Sequence, residues 1–404
     1  MLLVIKTTVN FIRRGIFAFT GLAVIPFLRL LSPLLRVRIG QLRTDRIGHL
    51  ALETELTILE NNQTSKRRVF DVWFAPKPVC NRALVKIWSR RLTILPSWAL
   101  APIYRVNELL PGSKLNKISP RLATVLDNKE LLDGSRSSVT LSESELEQGR
   151  LVLEQASINP LAKLALVIMR DGAYTKTEFP DKDMSYHDFR NSPISDLVPA
   201  IKTLLKDNYW VLRVGSIVEK PLNVDHPHFV DYSNSNWRSD FMDVYLSSIC
   251  DFCISDGLGF ASLPALFRRP NVFTNFTPFG IFYSSRKSDI GILKWIADSE
   301  TKKMLTLDEI KSRKLSSLTS SQDYSRAGVM PLLNTPDDIR KLILEVIAHQ
   351  SSTFDYSNDY FRDQIKFKDA YLKCLSPEQR ALHGDFRARF GNDFLNDYRH
   401  LWDN

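Results

Sequence analysis

In the second half of the chain, short unbroken apolar runs alternate with stretches whose apolar residues recur every three or four positions. Leu164–Met169 (LALVIM) has the length and composition of a strand buried on both faces. Ile194, Leu197, Val198, Ile201, Leu204 and Leu205 follow at helical spacing; Ser192 or Ser195 is placed to cap that helix, and Pro199 removes one early hydrogen bond. YWVLRVG and HFVDY read as the next strands. Ser239 is placed to cap a helix with Asp240 and Asp243 in its first turn. Cys250, Phe252, Cys253 and Ile254 close another strand. Ser255, Asp256, Gly257, Leu258 and Gly259 make the turn after it, and Phe260–Phe267 reads as a helix with Leu263, Leu266 and Phe267 on one face. NVFTNF adds one more strand. Such alternation predicts a mostly parallel sheet.

The first half repeats the theme more weakly. VRIGQL and RRVFDVWFAP read as strands, RIGHLALETELTILE as a loop entering a helix, Asn81–Arg91 as a helix and Leu92–Leu95 as a strand. Residues 114–160 are polar, Ser-rich and acidic with a weak helix, and read as the connection between two halves; 353–404 is helical and rich in aromatic residues. A chain of 404 residues is too long for one compact core. The expected class is α/β, with two Rossmann-like domains at 37–150 and 160–350, a segment 1–36 before them and helices at 353–404.

Charge singles out that first segment. The formal net charge is +9, and residues 1–50 hold eight basic residues against Asp45 alone, so +7 sits there and the other 354 residues carry only +2. A nucleic-acid binder spreads basic residues over its folded surface; this body is nearly neutral, which argues against nucleic acid. The uncharged apolar run Gly15–Leu28 is 14 residues long, short of the ~20 that span a bilayer. An interfacial anchor on anionic lipid, a signal or spanning helix, and a helix packed on the protein all remain open, with the anchor favoured by Phe11, Phe17, Phe19 and Phe27 beside arginines. Four cysteines are too few for a disulfide framework, and the lone pair Cys250 and Cys253 reads as buried core rather than half of a zinc site.

Several strings carry chemistry. A glycine-containing turn between strand and helix, as at Gly257 and Gly259, is a frequent phosphate cradle, although taken alone it favours an ordinary turn. The strings VIMRDGAY, MSYHDFRNSPISDLVPAI, YWVLRVGS and NWRSDFMDVYLSSICDFCISDGLGF, in this order over roughly residues 160–285, resemble the bacterial family of glycosyltransferases from surface-polysaccharide gene clusters. The resemblance implies a GT-B-like fold, two Rossmann-like domains facing a cleft, distantly reminiscent of fucosyltransferases, and a nucleotide-sugar donor. Relatives often carry His-x-Arg at the first strand end; here Ile168-Met169-Arg170 stands, so no role passes to a histidine there.

On this reading Arg170 grips a diphosphate at a strand end, with Asp171 beside it as a further catalytic candidate. Arg238, Ser239 and Asp240 offer a charged helix start. Tyr186, His187, Asp188 and Arg190 form a polar loop able to close over the donor, and Ser255, Asp256, Gly257, Leu258 and Gly259 complete the donor set. His49 is the candidate base in the first half, with Asp45 or Glu53 to orient or replace it. Asp181-Lys182-Asp183 spells the D-x-D of a different glycosyltransferase fold and reads as chance; His226-Pro227-His228 lacks further ligands. No metal at the reaction centre and no cofactor beyond the donor are expected. The acceptor is expected to be lipid-linked or a growing polysaccharide, and the protein cytoplasmic, attached peripherally to the inner face of a bacterial membrane. A nucleotide-sugar epimerase on the same fold, and a non-catalytic scaffold binding membrane or polysaccharide, are the alternatives.

Overall fold

The computed structural model describes residues 19–64, 68–118, 126–178 and 180–403. Two compact units divide the chain, Met1–Val125 with Ser137–Leu141, and Leu126–Arg136 with Ser142–Asn404. The backbone therefore passes from one to the other after Val125, again after Arg136 and again after Leu141. Positions 1–18 of the expected anchor lie outside the described residues. Among the described residues no helix is long and apolar enough to cross a membrane.

In the first unit, β1 (Arg36–Gln41) pairs in parallel with β2 (Val69–Phe74), and β2 with β3 (Thr93–Ile94). The crossover from β1 opens with a π-helical turn, His49–Glu53, that runs into the helix Thr54–Thr64. The second crossover holds the helix Arg82–Trp88, whose start is capped by the Asn81 side chain accepting from Leu84 N at 2.8 Å. Ile39, Val72 and Phe74 of the sheet pack with Leu100 and Tyr104 of the helix Ser97–Leu109, and with Ile25.

In the second unit, β4 (Leu164–Val167), β5 (Trp210–Arg213), β6 (Phe229–Val230), β7 (Phe252–Ser255), β8 (Asn271–Phe276) and β9 (Ile290–Leu293) form one all-parallel sheet. Its order is β6-β5-β4-β7-β8-β9, with a last edge strand described below. Counted from β4 this is 3-2-1-4-5-6, the doubly wound order of dinucleotide-binding folds. Right-handed crossovers leaving β4 in opposite directions place helices on both faces. Every residue of β4, β7, β8 and β9 is buried, which explains the unbroken apolar run of β4, while β8 buries Asn271, Thr274 and Asn275 as well. β10 (Trp295–Asp298) and β11 (Val329–Leu332) form a separate antiparallel ribbon.

Three local expectations are corrected. The weak helix of the supposed connection is Glu143–Gln155, closed by a Ser142/Glu145 capping box, and it belongs to the second unit. It packs on the helix Asp240–Ile249 through Gly149, where a Cβ would stand 2.2 Å from the Tyr245 ring. Residues 353–404 are largely helical as expected, but they are not set apart from the sheet unit: Phe367 and Tyr371 of the helix Asn358–Cys374 enter its core. Further on, β12 (Arg389–Phe390) pairs in parallel with β9 as the last strand. Neither Ser192 nor Ser195 caps the helix after β4. A 3-10 turn, Ile194–Leu197, leads into Val198–Lys206, and Ser192 N instead donates to Arg170 O at 2.9 Å.

Candidate functional site

Where strand order reverses in a doubly wound sheet, the neighbouring loops part and leave a crevice at the carboxyl edge. Here that point lies between β4 and β7. The loop after β4 (Arg170, Asp171, Gly172) and the loop after β7 (Asp256, Gly257, Leu258, Gly259) flank it, and Arg170 N donates to Asp256 Oδ2 at 3.0 Å. The two strings that drew attention in the sequence thus meet at one edge.

Asp256 is buried, and burial raises its pKa; the Arg170 N–H and the charges of Lys294, Arg190 and Arg170 pull the other way. Among the described residues its Oδ1 has no hydrogen-bond partner. Arg190 Nη2 donates to Gly257 O at 3.3 Å, and Tyr283 Oη donates to the same carbonyl at 3.1 Å. The buried Nε of Arg190 likewise has no hydrogen-bond partner among the described residues.

Lys294, directly after β9, completes the cluster. The residue is 2% exposed, and its ammonium donates to the carbonyls of Phe189 at 3.1 Å and Asn191 at 2.8 Å. Burial lowers its pKa to about 8; Asp256 opposes that shift and Arg190 adds to it. The 3-10 turn Ser185–Arg190 is fastened on another side by Ser321, whose Oγ accepts from Phe189 N at 3.2 Å and donates to Ser185 O at 3.0 Å. Tyr186 and His187 ride on the same turn with ring centroids 3.9 Å apart. Sequence reasoning missed Lys294 and Tyr283. The one available signal for the lysine was its place inside the otherwise apolar string IGILKW.

The structure revises other assignments. Asp171 Oδ1 accepts from Ala173 N at 3.0 Å and Oδ2 from Glu219 N at 2.7 Å. Each oxygen accepts from backbone, so Asp171 ties the loop after β4 to the loop after β5. Gly257 has φ +78°, and a Cβ would meet Phe276 Cε2 at 2.4 Å, so glycine is demanded by backbone and packing. Gly259 is exposed and opens a 3-10 turn, Gly259–Ala261, before a five-residue helix, Ser262–Leu266. A helix that short has no macrodipole to offer phosphate.

Arg238, Ser239 and Asp240 form a cluster of their own. Ser239 Oγ accepts from Met242 N at 3.2 Å as the N-cap of the helix Asp240–Ile249. Arg238 Nη2 lies 2.5 Å from Asp243 Oδ2 and 3.8 Å from Asp240 Oδ1, and Tyr232 Oη donates to Asp243 Oδ1 at 2.9 Å. The arginine charge is met by its own helix. Because this helix leads from β6 to β7, its start lies at the carboxyl edge of the sheet.

In the first unit, the π-helical turn stacks His49 over Glu53, with Nδ1 3.0 Å from Glu53 Oε2 and Arg43 Nη1 3.7 Å from the same oxygen. They line a small concavity of about 20 Å³ with Gln41, Thr57 and Trp73. Neither His49 Nδ1 nor Glu53 Oε2 has a hydrogen-bond partner among the described residues, so the two side chains are in charge contact rather than hydrogen-bonded. Asp45, the other orienting candidate, lies instead 3.9 Å from Arg46.

Among the described residues no three or more His, Cys, Asp or Glu side chains are grouped to hold a metal ion. Asp183 accepts from Ser185 N at 2.9 Å, His226 Nδ1 accepts from His228 N at 3.1 Å, and His228 stacks on Trp210 at 4.6 Å. The four cysteines are free thiols, with Cys250, Cys253 and Cys374 buried.

No family model matches the chain, and no curated sequence matches it. Among solved structures it is similar to a glycosyl transferase of family 9 from Veillonella parvula, with TM-score 0.40 and 10% identity over 64% of this chain and 86% of that one. It is also similar to the Escherichia coli ADP-heptose lipopolysaccharide heptosyltransferase II, at TM-score 0.36 and 12% identity over 60% and 86%. A third similar structure is the wall teichoic acid polymerase TagF, at TM-score 0.28 and 12% identity over 85% and 99%. Likenesses this distant assign neither donor nor acceptor.

Proposed function

We propose that the protein is a GT-B-type glycosyltransferase that moves a sugar from a nucleoside diphosphate donor to a hydroxyl of a lipid-linked or polysaccharide acceptor in bacterial surface-glycan synthesis. The observation that carries the reading is the convergence of Arg170, Arg190 and Lys294 on the Gly257 loop at the switch point of a doubly wound sheet. Cationic groups there suit a diphosphate, and the sequence resemblance over the same residues supports a sugar nucleotide. An acceptor oxygen attacks the anomeric carbon while the bond from that carbon to the diphosphate oxygen breaks. The leaving diphosphate takes the electron pair, and the guanidinium groups of Arg170 and Arg190 stabilise it. In this reading His49, beside Glu53, is the candidate base for the acceptor's proton, and no metal is required.

A panel of nucleotide sugars screened by thermal shift tests the donor site: a ligand at 100 times its Kd adds about 2.7 kcal/mol of stability. The expected result is stabilisation by one donor and by its nucleoside diphosphate, lost in Arg190→Lys, which keeps the charge but not the planar fork. Transfer to acceptor, abolished in His49→Ala with donor binding retained, tests the base. Conversion of the donor to its epimer without transfer would favour the epimerase reading.

A further inference from the structure

The described part of the N-terminal segment is a helix from Phe19 to Leu31 with two different apolar faces. One face packs inward: Ile25 is fully buried in the core of the first unit, and Gly21 lies against Ile103 and Val106. A helix with one packed face ordinarily turns polar residues outward. Here Phe19, Leu22, Ala23, Pro26, Phe27 and Leu30 face solvent, and Leu30 and the following Leu34 are each 78% exposed.

This apolar surface continues onto a second element. Arg29 bonds the carbonyl of Pro111 and the side chain of Asn107, and Arg36 Nε and Nη2 donate to the carbonyls of Leu115 at 2.7 Å and Lys114 at 2.9 Å. These bonds bring the end of the helix Ser97–Leu109 and the turn after it alongside Leu30 and Leu34. Leu109 there is 84% exposed, and Leu115 and the adjacent Lys114 are exposed as well. A contiguous apolar patch on a folded surface marks an interaction site.

We infer that this composite face of the first unit, built from the helix Phe19–Leu31, Leu34, Leu109 and Leu115, sits in the headgroup–acyl boundary of an anionic phospholipid bilayer. Charge selects the occupant. Arg29, Arg36 and Lys114 border the face, and the sequence leading into its helix adds Lys6, Arg13 and Arg14, so a symmetric pairing of two copies through this face would bring like charges together, whereas an anionic bilayer offers hydrocarbon for the leucines and phosphates for the arginines and lysines. Leu109 and Leu115 extend the expected anchor beyond residue 36, into the folded unit itself. The inference is independent of the transfer reaction.

The test is co-sedimentation of the full chain with vesicles of phosphatidylcholine alone and of phosphatidylcholine mixed with phosphatidylglycerol. Binding is expected to the mixed vesicles, weaker to the neutral ones, and only partly reversed by salt. Leu109→Glu and Leu115→Glu, like Leu30→Glu, are expected to lower the partition coefficient about tenfold or more. Melting temperature and nucleotide-sugar affinity should stay those of the parent, so a failed donor site and a failed membrane face are read separately. Parental vesicle binding by the Leu109 and Leu115 variants would overturn the composite face. So would a parent that binds no vesicle and sediments as a dimer which these variants split.

Discussion

At Gly257 the chain takes a left-handed turn directly beneath the Phe276 ring, and at Lys294 a buried ammonium holds the neighbouring turn by its carbonyls. The two residues answer to different measurements. Gly257→Ala adds αL strain and a clash, so urea denaturation should show a loss of about 2–4 kcal/mol, larger than any intrinsic change in donor affinity. Lys294 should show itself through pH. Its folded pKa of about 8 lies below the ordinary 10.5, so the unfolded chain binds the proton more tightly between those values. This residue therefore lowers stability below about pH 8, and that penalty is relieved as pH rises toward 10.5. Donor binding should run the other way. A diphosphate is drawn by the protonated ammonium, so its Kd should rise as pH passes about 8, and the inflection should vanish in Lys294→Met. Titration of Kd against pH in the two proteins decides it; a parental inflection in the variant would assign the pH dependence to another group.

At the level of elements, loops are secured by side chains that sequence alone reads as reactive. Asp171 ties the loop after β4 to the loop after β5 through two backbone N–H groups. Asp171→Ala should cost about 1–3 kcal/mol of stability and weaken donor binding through loop displacement, while turnover at saturating donor stays within a few-fold of the parent. A fall of about a hundredfold or more in that turnover would mark Asp171 as a reacting group. Strand β4 was legible because it is buried throughout and so appears as an unbroken apolar run, and β7 and β8 through their shorter apolar stretches FCI and VF. The approach of Arg170 to Asp256 followed from two parallel strands ending on one edge. Strand order was not legible, since nothing in a run of apolar residues names its neighbour. Nor was β12, whose two residues are too few for any periodicity. Lys294 was hidden because a lysine beside a strand ordinarily reads as solvated, and only the tertiary structure delivers two carbonyls to it.

Across the whole molecule, the short segment Leu126–Arg136 belongs to the sheet unit although it precedes a return to the other. Arg387 pairs with Glu130 at 3.1 Å and Asp133 at 3.2 Å, and Asn128 Nδ2 donates to Ala381 O at 3.2 Å. Arg268 reaches Ser135 O at 3.0 Å. A fragment 126–404 should therefore be more stable than a fragment 142–404, by about 1–3 kcal/mol for the partners stripped from Arg387 and Arg268, as read from their denaturation midpoints. Equal midpoints would make the segment a passive linker.

The same interleaving bears on how such a protein can be altered by recombination. Ser137–Leu141 returns to the first unit, where Ser138 N donates to Glu55 Oε1 at 3.1 Å and Arg90 Nη2 to Thr140 O at 2.7 Å. One crossover in the gene cannot exchange one unit for another's without leaving a foreign strip in at least one of the two. Exchanging the sheet unit with both units kept whole would take three matched junctions, so on the proposed function a change of donor preference is more easily reached by point substitution around Arg190 and Lys294 than by modular exchange.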